Sequence, residues 1–446
     1  MELEIQSGLF ARGGVAAEVE GRAWTRAMLE FEAALAGALA EVGAAPPAAA
    51  VEIAAVCDEI ELDLAALGEG AAADGTPVPA LLAALRERLS EDAAAHLHRG
   101  ATSQDVVDTA AMLVAKRALA PLLADLEAAA EAAAGLADRH RAATQAGRTL
   151  LQQALPVTFG LRAAGWLSAL DEAAVELASR QRHLALQLGG GAGTLASLEG
   201  DGIAAAAALA RRLQLAEPVL PWQANRIRPA LLAGALGAAA GVAGKIGTDV
   251  ALLAQTEVAE VAAGRGRGGS STLPHKRNPV FAVAAVACSK RTPALVATML
   301  AVMPGELDRA AGAWQAEAET LSELLRLTGS AAVAARELLE GLEVDPGRMR
   351  ANLALTEGLL MSEALTTALS GEIGRPAALD LVADASRRAL EESRPLADVA
   401  AAVPQIATAL GPEGIAEALD PVADLGSAAE LVDRALAAHR EQVGAG

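Results

Sequence analysis

The segment Gly269-Ser270-Ser271-Thr272-Leu273-Pro274-His275-Lys276-Arg277-Asn278-Pro279 gathers side chains and backbone that together could move a proton next to an anion. Glycines ahead of two serines permit a loop whose backbone N–H groups face a negative charge. A serine hydroxyl is a very weak acid. It exchanges a proton with carbon only where its alkoxide is stabilised by N–H groups and by a cation such as Lys276. His275 is the competing proton carrier, since an imidazole titrates near neutrality. Alternate residues of an extended loop point to opposite sides, which separates His275 from its neighbours. Taken as residues alone, the same run reads equally well as a flexible Gly/Ser linker with a basic end.

A second group is His98-Arg99-Gly100-Ala101-Thr102-Ser103-Gln104-Asp105. Thr102 or Ser103 caps the helix that follows, with Asp105 in its first turn. Such a helix start offers N–H groups to a carboxylate. A lone histidine at a helix start is more often structural or solvated, and His96 is read as a surface residue. A third group is Gly147-Arg148-Thr149-Leu150-Leu151-Gln152, where Gln152 is either a ligand-binding or a helix-capping amide. Arg226, after Trp222, has the fork that grips a carboxylate with two parallel hydrogen bonds, although an exposed arginine is as often merely solvated. Arg228 is the weaker candidate. Gln255-Thr256-Glu257 is placed inside a long helix, with Glu257 as an interior hydrogen-bond partner.

The elements that must carry these groups are helices. Over half of the 446 residues are apolar, alanine above all, tyrosine is absent and aromatics are few. Alanine is the strongest helix former, and small side chains let helices approach closely. Helices are expected over about 15–42, 48–67 and 104–140, then over 226–263 and 306–342, with loops at 68–79 and 264–278. The last hundred residues are expected as shorter helices after a boundary at Asp345-Pro346-Gly347. A formal net charge of −20 argues against a nucleic-acid partner. Cys57 and Cys288 are too few for a disulfide framework and fit a reducing cytoplasm. No leader peptide is read at the start, and the apolar stretches are expected to be broken by Glu, Asp, Arg or Gly short of a membrane span.

The Gly269–Asn278 segment resembles the signature loop G-S-S-x-M-P-x-K-x-N of the fumarase/aspartase superfamily. Gly269, Ser270, Ser271, Pro274, Lys276 and Asn278 match it; Leu273 stands for the usual Met. Many members carry Glu five residues after the Asn, where this chain has Val283. His98-x-Gly100-x-Thr102-Ser103-x-Asp105-x-x-Asp108-Thr109 resembles the corresponding segment of the adenylosuccinate lyase and carboxymuconate cycloisomerase branch. The matches run from about Gly8 to residue 345. The resemblance implies an all-α fold of three helical domains, divided here as 1–103, 104–345 (carrying the loop) and 346–446. It also implies a long central bundle shared in a homotetramer, with each site built from three subunits. It gives Ser270, Lys276 and His98 catalytic roles. Thr102, Ser103, Gln152, Arg226, Ser271 and Asn278 fall to substrate binding, with no metal and no organic cofactor.

One departure carries chemical information. Most lyases of the superfamily have His after Thr149, and this chain has Leu150. That His assists a leaving amine or hydroxide, which needs a general acid. A carboxylate leaving from a lactone is the conjugate base of an acid with pKa of about 4 and needs little or no proton. Leu150 therefore favours lactone chemistry, implying a small tricarboxylate substrate whose own carboxylate adds to a conjugated double bond. A C–N lyase of the adenylosuccinate type and a non-catalytic, crystallin-like relative are the alternatives.

Overall fold

The computed structural model describes residues 8–262, 264, 268, 269, 272, 273, 275–423 and 425–444. Helices hold most of them. The regular strands among the described residues are two short antiparallel pairs. The chain divides into two compact units, each drawn from three separate stretches. The first comprises Met1–Ala128, Glu172–Gly247 and Phe281–Arg336; the second comprises Ala129–Asp171, Thr248–Val280 and Glu337–Gly446.

In the first unit, helix Gly21–Glu41 buries Met28, Phe31, Leu35 and Leu39, a stripe at helical spacing. It packs on Pro47–Glu59 and on Gly202–Leu213. The expected 48–67 helix is two. The first ends at Glu59, and Asp63 starts the next by accepting from the amides of Ala65 (2.8 Å) and Ala66 (3.4 Å). Helix Ser103–Arg139 has 37 residues, about 55 Å. Its buried face, including Val106, Leu113, Leu119 and Leu122, is made of the small and branched residues that composition led one to expect. The expected 306–342 helix begins only at Glu317, after a single 3-10 turn.

The helix expected over 226–263 spans Ile227–Leu253. The amide side chain of Gln255 donates to the Leu252 carbonyl, Glu260 N returns to the Leu253 carbonyl, and Ala259 takes a positive φ of 50°. Gln255-Thr256-Glu257 therefore lies in a turn; Glu257 is exposed, while Glu260 is fully buried. Two helices, Ile227–Leu253 and Val280–Ala301, are long and apolar enough to cross a membrane by length and composition. The sequence expectation of earlier interruption fails by this measure: the breaks in Ile227–Leu253 are mostly glycines, and Lys290 and Arg291 are the charged residues of Val280–Ala301. The apolar window of Ile227–Leu253 is 61% buried, as in a core helix, and that of Val280–Ala301 is 28% buried.

In the second unit, β1 (Thr144–Thr149) and β2 (Gln152–Thr158) form an antiparallel hairpin with Thr149 opposite Gln152. The Gly147–Gln152 group thus lies in a hairpin, and Gln152 starts a strand rather than capping a helix. β3 (Val261–Ala262) pairs with β4 (Glu343–Val344). The chain beyond Ser362 has a core of its own around Leu369, Val382, Leu396 and Ile406. The last helix, Ala428–Gly444, is fastened by His439: Nδ1 meets Asp171 at 3.0 Å and Nε2 meets Glu131 at 3.2 Å.

Candidate active site

In the first unit the site begins at the start of the long helix. Asp105, fully buried, reaches back to the amide of Thr102 (3.0 Å), the reciprocal half of a capping box. The same carboxylate accepts from the amides of Gly189 (3.0 Å) and Gly190 (2.9 Å) and from the Gln187 side chain (2.9 Å). Burial pushes the Asp105 carboxyl up to about 6, against the pull of these four donors. The glycine run 189–193 is thus fixed against the helix start, and a Cβ on Gly189 would lie 2.5 Å from Gln223 Oε1.

His98 sits at φ 61°, a left-handed backbone rare for a non-glycine residue. Its Nδ1 is 2.7 Å from Oε1 of Glu32, whose other oxygen is buried without a hydrogen-bond partner. That contact leaves Nε2 as the nitrogen available to a ligand. Thr102 and Ser103 are half-buried beside it in sequence. The hydroxyl of Thr102 accepts from Arg309 (3.0 Å), which also donates to the Gly191 carbonyl (3.1 Å). Arg309 is a cation the sequence reading missed, since it lies 207 positions from Thr102.

Arg226 does not fill the role expected of it. Its guanidinium donates to both oxygens of Asp108 (2.7 and 2.9 Å) and, through Nε (2.9 Å) and Nη2, to Glu317. It is buried, and its guanidinium lies over the Trp222 ring. Burial depresses its pKa, but the two carboxylates outweigh that and raise it. An arginine so engaged is a core ion-pair centre and has little left to offer a substrate carboxylate. Arg228 donates to the His183 carbonyl. His96, expected at the surface, is half-buried with an unpartnered Nδ1.

The second unit holds the remaining groups. Leu150 and Leu151 form the hairpin turn at φ 51° and 64°, a geometry usually met by Asn-Gly. They are 96% and 72% exposed. Gln152 is exposed at the start of β2. Ser270 and Ser271, with Pro274, lie outside the described residues, but the neck of their loop is defined. Gly269 bridges Arg277, and the Asn278 amide donates to the Gly268 carbonyl (2.9 Å). Gly268 has φ 77°, and a Cβ there would come within 2.1 Å of the Asn278 carbonyl oxygen, so only glycine closes this neck. Lys276 and His275 are exposed on the loop and Asn278 is half-buried at its base. In the first unit, Val283, at the position of the superfamily Glu, is an exposed residue of helix Val280–Ala301.

Other candidates drop out. Burial, with the charge of Glu32, pushes Cys57 up to about 12, and burial pushes Cys288 up to about 11, so neither thiol is a ready nucleophile. Among the described residues no cluster of His, Cys, Asp or Glu has the arrangement of a metal site.

Residues 15–291 match the family model described as Lyase, and residues 358–435 match one described as Adenylosuccinate lyase C-terminus. A 3-carboxy-cis,cis-muconate cycloisomerase of Bradyrhizobium diazoefficiens is 44% identical, covering 96% of each chain. A nitrosuccinate lyase of Streptomyces davaonensis is 42% identical, covering 97% of this chain and 95% of its own. The crystal structure of a 3-carboxy-cis,cis-muconate lactonizing enzyme from Pseudomonas putida superposes with a TM-score of 0.92 at 38% identity, covering 98% of this chain and 99% of that one. The helical architecture, the loop neck built on Gly268 and Asn278, and these likenesses together establish that the chain belongs to the lyase family of the fumarase/aspartase superfamily.

Proposed function

We propose that the protein converts 3-carboxy-cis,cis-muconate to a carboxymuconolactone, a step in protocatechuate breakdown. The observation that carries this reading is Leu150, an apolar side chain at the hairpin tip where most of the superfamily has a proton-donating His. One substrate carboxylate oxygen forms a C–O bond to the conjugated double bond. The electron pair moves onto the carbon next to a second carboxylate, giving an aci-carboxylate. Ser270 delivers its hydroxyl proton to that carbon and is reprotonated from solvent. The attack is intramolecular, so the protein chiefly fixes conformation and stabilises developing charge. Lys276 and Asn278 hold that charge, with Ser271 and the loop amides on a carboxylate. His98 Nε2, Thr102, Ser103 and Gln152 bind the others, and Arg309 takes the place vacated by Arg226. No metal or organic cofactor is required by this chemistry.

A homotetramer with sites shared between copies is part of the proposal. It is supported by the apolar flank of Val280–Ala301, where Val283 and Leu300 are over half exposed, and by Val219 and Leu220 on the surface of the first unit. A cytoplasmic enzyme fits the two buried, unpaired cysteines.

Elimination of nitrite is the second reading, favoured by the nitrosuccinate lyase likeness. Nitrite, like carboxylate, is a weakly basic leaving group, so Leu150 is compatible with both. Offering both substrates to the purified protein separates them. Consumption of the muconate diene absorbance with lactone formed and no nitrite released from nitrosuccinate is expected; the reverse pattern moves the assignment to nitrite elimination.

A further inference from the structure

The segment that carries Arg309 runs from the end of helix Val280–Ala301 to the 3-10 turn Trp314–Ala316. It is made of turns and bends, and Leu307 within it is 90% exposed at φ 47°. Among the described residues, the hydrogen bonds tying 304–313 to the rest of the first unit are those of Arg309 itself and one from Gln223. Nη2 of Arg309 donates to the Thr102 hydroxyl (3.0 Å) and to the Gly191 carbonyl (3.1 Å). Nε2 of Gln223 donates to the carbonyl of the neighbouring Asp308 (3.2 Å). Nε of Arg309 is buried without a hydrogen-bond partner, so this guanidinium keeps a donor in hand, unlike that of Arg226.

The Gln223 amide has little freedom to turn. Gln187 accepts from the Trp222 N–H (2.6 Å), which can only donate, and donates to the Asp105 carboxylate (2.9 Å). The other N–H of the Gln187 amide meets Gln223 Oε1 (3.3 Å), which leaves the Gln223 NH₂ aimed at Asp308. The Gln223 backbone is held as well, because its carbonyl accepts from Gln104 Nε2 (2.9 Å) in the first turn of the long helix. Asp105, Gln187 and Gln223 are all buried. A relay of oriented amides thus runs from the Asp105 cap to the backbone beside Arg309.

We propose that Gln223 is a positioning residue: by holding the Asp308 carbonyl it fixes where the Arg309 guanidinium meets a substrate carboxylate. Without that bond the exposed segment would hang on the same nitrogen that grips Thr102 and Gly191. A displacement of about 1 Å in a binding group costs up to about a hundredfold in rate. Every residue of the relay lies in the first unit with His98, Thr102 and Ser103, so the role is the same whichever copies supply Gln152 and Ser270.

The role rests on the proposed reading in which Arg309 binds substrate, and a double-mutant cycle keeps the two apart. Wild type, Gln223→Met, Arg309→Met and the double variant are compared by steady-state kinetics on 3-carboxy-cis,cis-muconate and by hydrogen exchange. Each single variant is expected to raise KM about tenfold, the worth of a hydrogen bond to a charged group. The double variant is expected to match Arg309→Met, because residues that act as one do not add. Amide exchange is expected to rise in 304–313 in Gln223→Met. If Gln223→Met does not fold, Gln223→Glu, which sets an acceptor against the Asp308 carbonyl, enters the same cycle. Penalties that multiply in the double variant, unchanged exchange in 304–313, or a lowered kcat with wild-type KM overturn the positioning role. Wild-type KM in Arg309→Met overturns the Arg309 reading and the role with it. Wild-type protein inactive on the muconate overturns the functional reading alone; the cycle is then run on nitrosuccinate, and the same outcomes decide the role of Gln223.

Discussion

Nδ1 of His98 lies 2.7 Å from Oε1 of the buried Glu32, while the backbone of His98 is held at φ 61°. A carboxylate at that distance fixes Nδ1 as the protonated nitrogen and presents Nε2 outward, the arrangement by which acids orient catalytic imidazoles. Glu32→Gln keeps the shape but offers an N–H₂ to the same nitrogen and so permits the opposite tautomer. Turnover is expected to fall by at least about tenfold with the melting temperature little changed. Steady-state assay beside thermal unfolding checks this; full activity in the variant removes the tautomer argument.

Arg226 gives the opposite pattern. With Asp108 and Glu317 both on its guanidinium, Arg226→Met leaves two carboxylates buried face to face. Urea unfolding should show a loss of about 3–5 kcal/mol, the cost of breaking a buried pair. Glu317, raised by burial and held down mainly by Arg226, should then take up a proton on folding. A variant of normal stability with a greatly raised KM would restore Arg226 to substrate binding.

How much of this was legible follows from sequence distance. The loop, the His98–Asp105 block and the long helix from Ser103 were readable because each is local, a cap, a periodic stripe or a short motif. Arg226 was misjudged because its two partners lie 118 and 91 positions away, and a guanidinium looks the same in sequence whether they meet it or not. Glu257 and Glu260 are three apart, and only the turn at Ala259 decides which is buried. The hairpin was missed because two leucines occupy its turn where Asn or Gly would have announced it.

Those two leucines lead to a further prediction. Left-handed backbone costs a non-glycine residue roughly 1–2 kcal/mol, and exposure of both side chains returns little of it within the described structure. The double variant Leu150→Asn/Leu151→Gly should therefore unfold at higher denaturant, by about 1 kcal/mol or more. If the leucines touch substrate or a second copy of the chain, the same variant should lose activity or assemble less well, which light scattering and the muconate assay read together. Unchanged activity and assembly assign the leucines no role beyond the turn.

His439 provides a pH signature. Burial lowers its pKa, but Asp171 and Glu131 together more than reverse this, so the folded-state value lies above the ordinary one. Stability from this site is fully present below the ordinary histidine pKa and is lost as pH rises through the folded value. Melting temperature should thus decline on the alkaline side of neutrality, and His439→Gln should flatten that decline. A parallel pH profile in the variant contradicts the assignment.

The account turns on a proton delivered from the Ser270 loop. Its most direct test is turnover of 3-carboxy-cis,cis-muconate at saturating substrate by Ser270→Ala and by His275→Gln, with solvent deuterium followed into the lactone ring carbon. The account predicts that Ser270→Ala loses at least about a hundredfold in kcat while His275→Gln stays near wild type. Near-normal turnover in Ser270→Ala with loss in His275→Gln contradicts it and transfers the proton to the histidine.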